Sequence, residues 1–118
     1  MTARSRRALA SAFKLAFVSA TLMVVVLSLL PGNDLPAVGI SDKLEHVIAY
    51  AILALLGGLA FPEATMLLAV MLSALGIAME ICQMVVPGRS AEIADAVADA
   101  IGVGLILVPL AVWRSVRR

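Results

Sequence analysis

The chain has 118 residues, 63% of them hydrophobic and 14% charged, with a mean hydropathy of +1.08; soluble domains run at roughly 45 to 50% apolar and about 25% charged. Too few polar residues are present to give each helix of a water-soluble fold its polar face, so an ordinary soluble domain is excluded. A net charge of +1 supplies no global field for nucleic acid, and 4% aromatics among Ala, Val, Leu, Ile, 8 Gly and 6 Met suits packed transmembrane helices better than an aromatic-girdled barrel.

The sequence predicts an all-α membrane protein: four transmembrane helices in one compact bundle that forms a single domain over residues 1–118. The first span is expected at 13–30, about 27 Å long at ~1.5 Å per residue, with Lys14 at its inner end. Its apolar run is longer than a signal-peptide core of about 7 to 15 residues and ends in Leu29-Leu30-Pro31 without a small-residue cleavage site, so it reads as a retained helix. Pro31, Gly32, Asn33, Asp34 and Pro36 form a turn-rich break. Ser41 and Asp42 then supply N-cap chemistry for a helix at 44–61. Pro62-Glu63 makes a tight connection to a third helix at 64–86, closed by Pro87-Gly88, and a fourth is expected at 93–113. The single Cys82 lies in an apolar run and reads as a small packing residue.

Arg4, Arg6, Arg7, Lys14, Arg114, Arg117 and Arg118 flank one side of these spans, against Lys43 and Arg89 on the other. The positive-inside rule therefore places both termini in the cytoplasm and the loops at 34–43 and 87–92 outside.

Ionisable groups inside a span are costly, on the order of 2.5 to 3.5 kcal/mol each at a helix centre, so their pattern carries information. Asp42, His46 and Tyr50 recur every four residues on the second helix, bordered by Lys43. Ser73, Gly76, Glu80 and Gln83 share a face of the third, and Asp95, Asp99 and Gly102 a face of the fourth. Tyr50, Glu80 and Asp99 each lie six residues inside the outer end of their span, roughly 9 Å deep. His46, Gln83 and Asp95 form a shallower layer, with Asp42, Lys43 and Arg89 at the rim. Three stripes thus converge at one height on one side of the membrane. The bland alternative is a set of interhelical polar clamps, such as His46 to Asp95 or Glu80, with Gly76, Gly102 and Gly104 as close-packing points.

Read in order, Asp42-Lys43-x-x-His46-x-x-x-Tyr50, Glu80-x-x-Gln83, Pro87-Gly88-Arg89 and Asp95-x-x-x-Asp99-x-x-Gly102 resemble the VanZ-like family of small bacterial membrane proteins, over Asp42 to about Gly104. The family usually carries Asn where this chain has Asp99. The resemblance implies an integral, multi-pass protein of the bacterial cytoplasmic (inner) membrane acting at the cell envelope; the family's namesake is associated with low-level resistance to teicoplanin. It carries over no reaction.

Two classes of function lead. In the first, Asp42, Lys43, His46, Tyr50, Glu80, Gln83, Arg89, Asp95 and Asp99 form an outward-facing site that binds an envelope lipid or lipid-linked glycan, with Lys43 and Arg89 placed to hold a phosphate head group. In the second, the chain is an enzyme, with Glu80, Asp99 and His46 as candidate catalytic residues that could share a proton or hold a divalent cation, and do general acid/base work. No recognised nucleophile or metal-ligand spacing appears, so neither a metal nor a cofactor is expected. A transporter is disfavoured because the inner half of helices two to four carries no ionisable residue, and a structural partner subunit comes last.

Overall fold

Most of the large apolar side chains in this chain point outward. In the computed structural model, which describes residues 1–118, only 17 residues are buried, while Leu15, Leu22, Met66, Val70, Ile101 and Leu105 are all at least half exposed. The chain forms α1 (Ala3–Leu29), a short 3-10 turn at Gly32–Asp34, α2 (Asp42–Ala60), α3 (Thr65–Gln83) and α4 (Ile93–Val116), with no strands. All four α-helices are long and apolar enough to cross a membrane.

Helix ends follow from capping more than from apolar length. α1 begins ten residues before the span expected at 13–30, because Thr2 caps it, its hydroxyl accepting from the Ser5 amide at 3.1 Å, and the Arg- and Ala-rich run that follows is good helix former. α2 starts at Asp42, with the Ser41 hydroxyl accepting from the Leu44 amide. α3 stops at Gln83, three residues short of the expected end at 86. Met84, Val85 and Val86 instead donate to carbonyls three residues back, a tightened turn forced by Pro87, which disfavours helical geometry in the residue before it. α4 runs beyond residue 113 to Val116 with Pro109 inside it.

The buried core is Tyr50, Leu53, Ala54, Leu68, Leu72, Val103 and Leu107, with Phe17, Val24 and Phe61 packed against it. α2 is the central element, packing most closely on α4. A methyl group on Gly102 would run into the Val47 carbonyl and approach the Ala51 amide nitrogen to 3.1 Å, so this glycine sets the α2–α4 distance. Gly104, in contrast, faces open space and is not a packing point. Cys82 is exposed on the outer surface of α3, not packed inside; at two residues from buried Glu80 it faces the other way.

The two ends of the bundle are closed differently. At one end Arg114 donates to the Gly58 carbonyl at 2.7 Å, the Pro62 carbonyl at 3.0 Å and the Thr65 hydroxyl at 3.1 Å, tying α4 to the α2–α3 turn. At the other, Arg89 donates through Nε to the Leu30 carbonyl at 3.1 Å and through Nη2 to the Leu27 carbonyl, satisfying the end of α1, while the Gly32 amide donates to the Pro87 carbonyl. The start of α2, the end of α3 and the start of α4 all gather at this second end.

Candidate functional site

The second end holds a network of acids around two bases. His46 is the hinge of that network. One turn into α2, its Nδ1 lies 2.7 Å from Asp99 Oδ1, and its Nε2 lies 3.8 Å from Asp95 Oδ2 and 4.0 Å from Asp42 Oδ1. One imidazole therefore faces carboxylates on both edges. Lys43, the next residue after the α2 start, donates to Asp95 Oδ1 at 2.5 Å and Glu92 Oε2 at 2.7 Å. Asp95 and Asp99 are 2% and 1% exposed, and α4 presents them one turn apart on the face that packs against α2.

Glu80 approaches from α3. Its Oε2 accepts from the Glu92 backbone amide at 3.0 Å, which fixes the carboxylate, while Oε1 is buried with no hydrogen-bond partner. The Tyr50 hydroxyl is likewise buried and unpartnered. Gly76, one turn before Glu80, makes room for Asp99: a Cβ there would lie 2.7 Å from Asp99 Oδ2. Side-chain oxygens and nitrogens of His46, Glu80 and Asp99 fall within 4.8 Å of one another, as do those of Asp42, His46 and Asp95. In the first group each residue comes from a different helix, so no ligand spacing is visible along the chain; in the second only Asp42 and His46, four apart on α2, share one.

The remaining sequence candidates play other parts. Gln83 is buried and donates to the Ser28 carbonyl at 3.1 Å, holding α3 to α1. The two rim cations have internal partners, Lys43 on Asp95 and Glu92 and Arg89 on the end of α1, so the pair does not converge on a common phosphate. Glu92, Glu45 and Arg114 were not marked by the helical stripes. Glu92 precedes α4 and so escapes any periodicity, yet it joins Lys43 to Glu80.

Beside the network lies a cavity of ≈ 530 Å³ between α1 and α2, beneath the segment 35–40. Val24, Leu27, Ile48 and Ile52 give it apolar walls, and Asp42, Glu45, His46, Tyr50, Gln83 and Arg89 supply its polar lining. His46 and Tyr50 thus belong to both the cavity and the acidic network. No family model, curated protein or solved structure matches this chain, so the meaning of the site rests on its own chemistry.

Proposed function

We propose that the chain is a multi-pass protein of the bacterial cytoplasmic membrane, VanZ-like, that binds an envelope lipid or lipid-linked glycan at the outer end of its bundle. The cavity between α1 and α2 carries this reading. Its polar residues come from the first turns of α2, the end of α3 and Arg89, and its apolar lining comes from α1, α2 and the segment 35–40, so it offers both kinds of surface that an amphipathic ligand requires. Its volume falls within the roughly 300–1,000 Å³ of small-ligand sites.

The polar lining favours a head group rich in hydroxyls or amines. Asp42 and Glu45 are acceptors, Gln83 is both donor and acceptor, and Arg89 is the one cation among them. Orientation with both termini in the cytoplasm rests on seven Lys and Arg near the span ends of that side against Lys43 and Arg89 on the other. The assignment to the VanZ-like family rests on the order and spacing of the marked residues from Asp42 to Gly102.

Mass spectrometry of lipids co-purifying with the protein in mild detergent tests the proposal. One lipid class enriched over bulk membrane, and depleted in Arg89→Ala and in Ile48→Trp, which fills the cavity, is the expected result. Bulk composition in the wild-type protein would overturn it. A second reading, an enzyme acting on such a head group, draws on the His46–Asp99 pair, because a carboxylate that orients an imidazole prepares it as a general base. That reading requires a modified lipid to accumulate with turnover, which simple binding does not produce.

A further inference from the structure

We infer that His46, Glu80 and Asp99 form a divalent-cation site buried between α2, α3 and α4. Their ligand atoms lie within 4.8 Å of one another, and the donor set is one imidazole nitrogen and two carboxylates.

A cluster of acids alone would not point to a cation, but here one of its atoms lacks a partner. Glu80 is 8% exposed, its Oε2 is fixed by the Glu92 amide, and its Oε1 is left buried with nothing to bond. A buried carboxylate oxygen without a donor is costly. A cation between Glu80, Asp99 and His46 satisfies it. The Glu92 amide then acts as the outer-shell donor that holds a ligating carboxylate in place. Gly76 contributes by absence of a side chain, since a methyl group there would displace the Asp99 carboxylate.

Charge points the same way. Three buried carboxylates, Glu80, Asp95 and Asp99, face one lysine, Lys43, whose amine is shared between Asp95 and the exposed Glu92. Glu80 and Asp99 are left without a cationic side chain of their own other than His46, and a divalent cation supplies two positive charges between them. A histidinium supplies only one. The alternative group, Asp42 with His46 and Asp95, is weaker on both counts, because Asp42 is exposed and Asp95 already has its lysine. A nitrogen ligand beside two carboxylates suits Mn²⁺ or Zn²⁺ better than Mg²⁺ or Ca²⁺, which prefer oxygen alone.

The chain contains a single histidine, which makes the test direct. The full chain, purified in mild detergent without a histidine tag and stripped with EDTA, is titrated with MnCl2 and examined by pulsed EPR. One Mn²⁺ per chain at micromolar concentration, with ¹⁴N modulation from a coordinated imidazole and displacement by ZnCl2, is expected; the nitrogen can only be that of His46. Glu80→Gln and Asp99→Asn should each weaken binding at least tenfold, and Glu63→Gln, in the exposed α2–α3 turn, should leave it unchanged. Absence of stoichiometric Mn²⁺, bound Mn²⁺ without ¹⁴N modulation, or wild-type affinity in folded Glu80→Gln would each overturn the site. The wild-type spectrum establishes ligation by His46 whether or not the variants fold, and Asp42→Asn distinguishes the two groups that contain it: it should weaken binding less than Glu80→Gln does, and the reverse order would place the ion in the Asp42 group and overturn the site. Lipid plays no part in the titration, so the site and the cavity's ligand fail separately.

Discussion

The His46 imidazole and the Asp99 carboxylate, 53 residues apart in the chain, meet at 2.7 Å between α2 and α4. Asp99 is 1% exposed, so its end of the contact is shielded from solvent, and of the three carboxylates around His46 it is the one at hydrogen-bond distance. A double-mutant cycle with His46→Gln and Asp99→Asn, read by detergent-denaturation midpoint, should give a coupling energy of about 1–3 kcal/mol. Additivity to within about 0.3–0.5 kcal/mol would show that the two side chains act independently.

Lys43 and Asp95 make the second prediction. Lys43→Met leaves a buried carboxylate facing His46 and Asp99 without its ammonium, and should lower the unfolding midpoint. Adding Asp95→Asn removes the orphaned charge and should restore much of the loss. A double variant no better than Lys43→Met alone would mean that the lysine works through its stem and not its charge.

Gly102 and Gly104, two residues apart and so on nearly opposite faces of α4, should respond to alanine with opposite signs. Gly102→Ala drives a methyl group into the α2 backbone and should cost roughly 1–3 kcal/mol. Gly104→Ala meets nothing and removes a flexible residue from a helix, so it should stabilise by about 0.4–1 kcal/mol. Thermal unfolding followed by circular dichroism measures both.

Arg114→Ala should weaken the bundle by about 1.5–3 kcal/mol, since its guanidinium joins α4 to the Gly58 and Pro62 carbonyls and the Thr65 hydroxyl. Limited proteolysis should then open first at the α2–α3 turn around Pro62-Glu63. Cleavage unchanged at that turn would show that the contacts contribute little.

Orientation is checked by reporter fusions after Asn33 and at Arg118. A reporter active only outside the cytoplasm should work at Asn33 and fail at Arg118. The reverse would put the His46 network on the cytoplasmic face.

Which residues share a helix face could be read from the sequence, because spacings of three and four fix it; His46, Glu80, Asp95 and Asp99 do meet at one end of the bundle. Which of them pair could not, because pairing depends on how far each helix is rotated about its axis against its neighbour, and periodicity is blind to that. Lys43 illustrates the point, since at the rim it reads as a free cation and in the fold it sits on Asp95. Arg89 and Arg114 were opaque for another reason: their partners are backbone carbonyls, which leave no trace in the side-chain pattern. The four apolar windows were plain, yet α1 starts ten residues earlier than its apolar run because a threonine hydroxyl sets the end.

α1 buries none of its residues, although Val24, Leu27 and Ser28 wall the cavity it shares with α2. On the proposed reading, with α1 among lipids, such an opening is a doorway in the plane of the bilayer and not a well to be reached from water. Arrival is then a two-dimensional search, and occupancy follows the mole fraction of the molecule among its neighbours, whatever its solubility. On the proposed lipid reading every competing lipid also presents tails to the same wall, so discrimination falls on the few polar groups of the lining.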